Sequence, residues 1–269
     1  MPLPLEDCFN DVVNKAQFGL GLSNEALSAS AGIELAALQA VKGGGVDKAV
    51  LSRLAPALQL HGPSLLGLAE NAWQPEPVLM EGLETFTTTF GDMTVNAFLV
   101  YDPATREAAV FDTGASAAGI AARLRELGLN LRHLFLTHTH ADHVADIAGV
   151  GAPEVNVSEH EPYPDATTFT PGASWSLGNL RIESRSTWGH SKGGTTFVVR
   201  GLARPLAIVG DAVFAGSMGG GKVSYADALA TNRKEIFSLP NDTVLAPGHG
   251  PLTSVGEEKA HNPFFPEFK

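Results

Sequence analysis

The sequence is short of cysteine, of basic residues and of long apolar runs, and each shortage excludes something. Its single cysteine, Cys8, cannot close an internal disulfide and lies far from any chemical motif, so it reads as a packed or surface thiol. Only 18 lysines and arginines stand against 29 acids, a formal net charge of -11. Such a surface repels nucleic acid and anionic membrane at long range. No stretch approaches the roughly 20 uninterrupted apolar residues that a membrane helix requires. The first twenty residues carry Glu6, Asp7 and Asp11 in place of the basic start of a signal peptide, so a cytoplasmic location is the expectation. What the chain does have is 269 residues, 44% of them hydrophobic, enough for one large domain or a large and a small one.

Residues 1–73 are rich in Ala and Leu and poor in β-branched residues, with helical spacing in Val12, Ala16 and Phe18, in Ala26, Leu27 and Ala31, and in Leu35, Leu38 and Val41. Ser23 before Asn24 and Glu25 suits a helix start, Gly32 a break, and Gly43, Gly44 and Gly45 a further end. The spacing predicts a small helical domain. Gln74 to Pro77, with two prolines, reads as a linker, and 78–269 as a second domain. There strand-like runs appear at 83–89, 95–100, 108–111, 133–137, 155–157, 180–184, 195–199, 206–209 and 243–246, with helical patterns at 117–127, 144–148 and 225–237. Hairpin-length gaps mixed with helical crossovers predict two packed sheets with helices outside, an α+β fold.

The chemistry is concentrated where the apolar run Leu134-Phe-Leu-Thr enters His138-Thr-His140-Ala-Asp142-His143. Three histidines and an aspartate within six residues, at a strand end able to aim them, point to metal binding. His138 and His140 fall on one side of an extended segment, and Asp142 and His143 where a turn redirects them, so one loop can serve two neighbouring metal positions. Three further strand-to-loop transitions each bring another ligand type: Trp188-Gly-His190, Val209-Gly-Asp211 and Pro247-Gly-His249-Gly. Each carries glycine beside the ligand, which permits close backbone approach. Imidazole with carboxylate suits Zn, Fe or Mn. Thr137 and Asp112 are candidates for orienting the imidazoles, Asp112 equally well as a turn residue at a strand end. His61, His133, His160 and His261 read as packed or exposed side chains, the last two in polar loops.

This His-x-His-x-Asp-His run, followed in order by a His, an Asp and a final His, resembles the signature of the metallo-β-lactamase fold superfamily over about residues 80–265. The resemblance implies an αββα sandwich holding two divalent metal ions, most readily zinc. One ion would be bound by His138, His140 and His190, the other by Asp142, His143 and His249, with Asp211 between them. It further implies a metal-bridging hydroxide as nucleophile, oriented by Asp142. Gly210-Asp-Ala-Val-Phe-Ala-Gly-Ser217, Pro247-Gly-His-Gly-Pro-Leu-Thr253 and the ending Glu257-Glu-Lys-Ala-His-Asn-Pro-Phe264 are similar to the glyoxalase II branch, which hydrolyses hydroxyacyl-glutathione thioesters.

That branch commonly carries a basic residue after its Gly-Ser-x-Gly stretch, where this chain reads Gly216-Ser-Met-Gly-Gly-Gly-Lys222-Val-Ser-Tyr225. Lys222 and Tyr225 are therefore the candidates for holding an anionic small-molecule substrate. A persulfide dioxygenase or a lactonase of the same fold is the alternative enzyme. The helical region resembles the helix-turn-helix of Cro-type repressors, which raises a ligand-sensing DNA-binding regulator as an alternative of another class. However, residues 1–76 hold eight acids and four bases, a net charge of -4, and Glu34 opens the would-be recognition helix. The apolar content of these helices predicts a packing module or a homo-oligomer through that unit, with a lid element over the substrate as a further reading.

Overall fold

The computed structural model describes residues 3–269. Five short helices come first: α1 (Phe9–Gly19), α2 (Asn24–Ala31), α3 (Leu35–Lys42), α4 (Lys48–Ala57) and α5 (Gly62–Ala69). Local chemistry sets their ends. Ser23 accepts the Ala26 amide at 3.1 Å, Asp47 accepts those of Ala49 and Val50, and Gly32 closes α2 in the left-handed conformation at φ 62°. The expected helix, turn, helix order is thus present in α2 and α3. No helix among the described residues is long and apolar enough to cross a membrane.

Strands then dominate: β1 (Leu83–Phe90), β2 (Met93–Tyr101), β3 (Glu107–Phe111), helix α6 (Ala118–Leu127), β4 (Asn130–Phe135), helix α7 (Ile147–Val150), β5 (Val155–Ser158), β6 (Thr167–Phe169) and β7 (Ser174–Leu177). They continue with β8 (Leu180–Ser186), β9 (Thr195–Arg200), β10 (Leu206–Gly210), helix α8 (Tyr225–Thr231), β11 (Val244–Pro247), β12 (Thr253–Ser254) and helix α9 (Val255–His261). They form two six-stranded sheets, ordered β1-β2-β3-β4-β5-β6 and β12-β11-β10-β9-β8-β7.

The two-residue period of the strands decides which side chain joins which layer. Phe98, Val100, Phe111 and Phe135 of the first sheet meet Phe197, Val199, Leu206 and Ile208 of the second between the sheets. Their neighbours Ala97, Leu99, Val110 and Leu134 face outward against Ile120 and Leu124 of α6. On the far side, Val198, Ala207, Val209 and Leu245 face outward against Val12, Val13, Leu51, Leu54 and Leu65 of the N-terminal helices, with Val255, Phe264 and Phe265. The result is the expected αββα layering.

The structure refines the sequence reading at several points. The N-terminal helices share one apolar cluster with the second sheet, so the boundary at 73/78 marks a change of layer within a continuous core. Most of their apolar side chains pack inside the chain, while Phe18 and Leu35 stay exposed. Strands β6, β7 and β12, only two to four residues long, were not anticipated, because such short edge segments carry little periodic signal. His261 is not in a loop: it ends α9 and stacks on Trp73 with ring centres 4.5 Å apart. The segment 225–237 starts as α8 and continues as a π-turn over Asn232–Ile236.

Candidate metal centre

Strand direction brings the chemistry to one edge. β10 and β11 are parallel, so Asp211 and His249, which follow them, leave the sheet at the same end. β9 is antiparallel to both β8 and β10, so the β8–β9 turn that carries His190 opens there too. In the first sheet β3 and β4 are parallel with Phe111 opposite Phe135, which sets Asp112 beside the loop that begins at Leu136. The seven residues named from the sequence converge as two groups: His138, His140, His190 and Asp211, and Asp142, His143 and His249.

Asp211 joins the groups. Its Oδ2 lies 3.3 Å from His190 Nε2 and 3.9 Å from His138 Nε2. Its Oδ1 lies 3.3 Å from His143 Nε2 and 3.5 Å from His249 Nε2. Within the first group, His140 Nδ1 is 3.0 Å from His138 Nε2 and 3.1 Å from His190 Nε2. Within the second, Asp142 Oδ2 is 3.3 Å from His249 Nε2 and 3.5 Å from His143 Nε2. A tetrahedron of donors at ordinary zinc–ligand lengths has edges of about 3.3 Å. The separations in the two groups, 3.0–3.9 Å and 3.3–3.5 Å, lie around that value.

The ring orientations agree with cations at the two foci. His190 Nδ1 donates to the Gly220 carbonyl at 2.9 Å and His249 Nδ1 to the Thr94 carbonyl at 2.6 Å. His143 Nδ1 donates to Asp112 Oδ2 at 2.8 Å. The Thr137 hydroxyl also donates to Asp112 Oδ2, at 2.7 Å, which leaves its oxygen to accept from His138 Nδ1 at 3.0 Å. Each of these four rings spends an N–H outward, which turns its opposite nitrogen toward the focus, the orientation of metal-bound imidazoles. Two of the inward atoms, His143 Nε2 and Asp211 Oδ1, are buried with no hydrogen-bond partner. Buried polar atoms left this way are costly unless something positive lies between them.

The electrostatics reach the same conclusion. Burial pushes His190 down to about 4 and holds His138 well below its ordinary range. Burial opposes charge on His143 as well, yet Asp211 and Asp112 outweigh it and lift this imidazole to about 10. Against the same burial, the facing carboxylates of Asp142 and Asp211 lift His249 to about 11. The Asp211 carboxyl is kept ionised, against its burial, by the surrounding histidines. A buried anion that draws positive charge onto two of its neighbours suits a site for divalent cations.

Several supporting residues escaped the sequence reading or were left undecided by it. Asp112, weighed equally as a turn residue, is buried beneath the centre at φ 57° and serves three donors, including the Thr137 amide at 2.7 Å. An aspartate tolerates that backbone region better than most residues, and strain of this kind persists where neighbours hold it. Glu161 ties the His138–His140 loop to the β8–β9 turn by accepting from Thr139 N at 2.9 Å and Gly193 N at 2.7 Å. Buried Asn96 holds the His249 loop, giving its amide hydrogens to the carbonyls of Pro247 and Gly250. An acid or amide in a loop carries no sequence signal of such a role. Gly248 was flagged as a close approach, and a Cβ there would sit 2.4 Å from Asp211 Oδ1.

Over the centre lies a cleft of about 520 Å³, floored by His190, Asp211 and His249. Of the two substrate candidates, Lys222 lines it. Tyr225 does not: its ring packs against Gly19 and Phe264 in the helical layer, and burial pushes its phenol up to about 12.

A family profile described as "Metallo-beta-lactamase superfamily" matches residues 90–249. Among curated proteins, hydroxyacylglutathione hydrolase GloC of Haemophilus influenzae is 28% identical over 197 residues, covering 63% of this chain and 92% of that protein. Mitochondrial persulfide dioxygenase ETHE1 of Homo sapiens is 28% identical over 212 residues, covering 73% and 79%. Among solved structures, ETHE1 from Myxococcus xanthus aligns with a TM-score of 0.58 at 25% identity, over 68% of this chain and 85% of that one. The match spans β2 to β11 and the seven converging side chains just described, and the chain belongs to the metallo-beta-lactamase superfamily.

Proposed function

We propose that this metallo-hydrolase cleaves a thioester or related small ester, using two divalent ions, most readily zinc. His138, His140 and His190 would hold one, Asp142, His143 and His249 the other, and Asp211 both. The observation that carries the reading is the completeness of the second group, in which Asp142, His143 and His249 meet the second oxygen of Asp211. GloC, similar to this chain over most of its own length, is named for hydrolysis of a hydroxyacyl-glutathione.

Two divalent cations would supply an activated water near neutral pH and a Lewis acid for a carbonyl oxygen. The protein's own groups do the rest. Asp142 stays ionised, because its hydrogen bond with His249 and the charge of His143 overcome its burial, so it can accept a proton from a water in the cleft and orient its lone pair. Lys222 offers a positive charge on the side of His140 and His190, where it can receive an anionic part of the substrate. The Gly220 and Thr94 carbonyls keep His190 and His249 from turning as substrate enters.

The test is turnover of S-lactoylglutathione and simple acyl thioesters by zinc-loaded protein, with His138→Ala expected to abolish it. An unchanged rate in that variant would sink the reading. Persulfide dioxygenase is the second reading, favoured by the ETHE1 similarity. One iron per chain, with oxygen consumed alongside a persulfide, would favour it.

A further inference from the structure

The wall of the metal cleft facing Lys222 is built by the N-terminal helical layer. Glu6, Asp7, Asn14, Lys15 and Phe18, from α1 and the residues leading into it, all line the cleft. Most of this wall is occupied elsewhere. The Lys15 ammonium bonds Asp7 Oδ2 at 2.5 Å and the Met218 carbonyl at 2.9 Å, and sits 5.0 Å from the centre of the Phe214 ring. Asp7 also receives the Ser217 hydroxyl. This network fastens α1 to the loop after β10, and with its charges mutually neutralised it is poorly placed to capture an ion.

Apart from Glu6 and Asn14, what the wall leaves uncommitted is apolar. Phe18 is 73% exposed and Met93, at the start of β2, is 43% exposed, and both line the cleft. Phe214, its ring edge-on to His249 at 5.6 Å, lies deeper in the same cleft. Large apolar side chains left in water at the mouth of a charged centre mark a surface that something covers. Glu6, half-buried beside them, puts an acid where a carboxylate of the substrate would otherwise come to rest. The volume of about 520 Å³ is that of a small-molecule site.

We propose that α1 is the substrate-selecting wall of the metal cleft, and that it takes an uncharged apolar acyl chain which crosses Phe214 and covers Phe18 and Met93. The assignment rests on the hydrolase reading above and names the acyl half of its substrate: a medium-length, unbranched or aromatic acyl group, with any single anionic group left to Lys222.

Binding of straight-chain alkanoates, the acid half of such a product, decides it without turnover. Butyrate, hexanoate and octanoate are titrated by calorimetry into zinc-loaded protein. Affinity should rise roughly twofold to fourfold per added methylene, with a negative heat-capacity change. Phe18→Ala and Met93→Ser should each flatten that slope, and Phe18→Leu should restore part of it. Since both side chains are exposed, unchanged melting temperatures are expected in the three variants. A flat series in the unmodified protein, or a slope that survives both truncations, overturns the proposal. So does a dimer that Phe18→Ala dissociates, since Phe18 would then be covered by a second copy. An intact slope without turnover of any thioester would remove the hydrolase reading and leave the wall standing.

Discussion

The two sides of the metal centre are held by different means. His138 and His143 hang on side chains, through Thr137 and the single carboxylate of Asp112. His190 and His249 hang on main-chain carbonyls, Gly220 and Thr94, each supplied by a segment distant in sequence. The first kind of support is chemical, and one substitution can remove it. The second is architectural: no side chain can be deleted to abolish it, but anything that moves the carrying segment does. The loop 216–220 is such a segment, fastened from below by buried Glu258, which accepts from Gly216 N at 3.0 Å, and by Asn262, which donates to the Ser217 carbonyl at 2.7 Å.

The sharpest way to break the architectural side is Gly219→Ala. A Cβ there would lie 1.9 Å from the Asp211 carbonyl oxygen and 2.9 Å from His190 Nδ1, so the loop must shift. Misplacement of this order is expected to cost about 10²-fold in turnover of the zinc-loaded enzyme, with metal content measured in parallel. An unaffected rate would show that Gly220 does not set the His190 ring. On the chemical side, Asp112→Asn keeps a residue that tolerates φ 57° while removing the charge and one acceptor oxygen. Metal affinity should fall about tenfold to hundredfold in a chelator competition. A loss confined to thermal stability would instead make Asp112 part of the folding core alone.

The smallest effect concerns the fastening under the loop. Burial pushes the Glu258 carboxyl up to about 7, against donors on Thr253, Asn262 and Gly216. Between about pH 4.5 and 7 the folded protein therefore holds a proton that the unfolded chain has released. The stabilisation is complete below about pH 4.5 and fades as pH climbs through 7. Relative to Glu258→Gln, the melting temperature of the unmodified protein should drop by several degrees from pH 5 to pH 8, on the order of 2–3 kcal/mol. Parallel pH profiles in the two proteins would place the charge balance elsewhere.

Much of the molecule was legible in the chain. Periodic runs located nine of the strands because each has one face or both in an apolar layer. Ser23, Gly32 and the glycines at 43–45 marked helix ends because capping is local chemistry. The histidine-rich run stood out because its ligand types crowd into six residues, and Asp211 and His249 follow apolar runs while His190 precedes one, each with glycine beside it. Asp112 could be suspected but not decided, because its role depends on the parallel pairing of β3 with β4. Glu161 and Asn96 were out of reach; a lid was among the readings of the helical unit, but nothing in the chain marked Glu6 to Phe18 as a cleft wall, and Tyr225 was placed at the site when its ring belongs to the helical layer.

The sequence by itself determined the layered fold, the family and the seven side chains able to share a pair of ions, because periodicity, capping and ligand spacing are carried by neighbouring residues. Only the tertiary structure decided that α1 stands over the candidate metal centre and that Asp112 and two carbonyls aim the imidazoles. Those relations join residues up to about two hundred positions apart, and only the packing of both sheets and the helical layer brings them together.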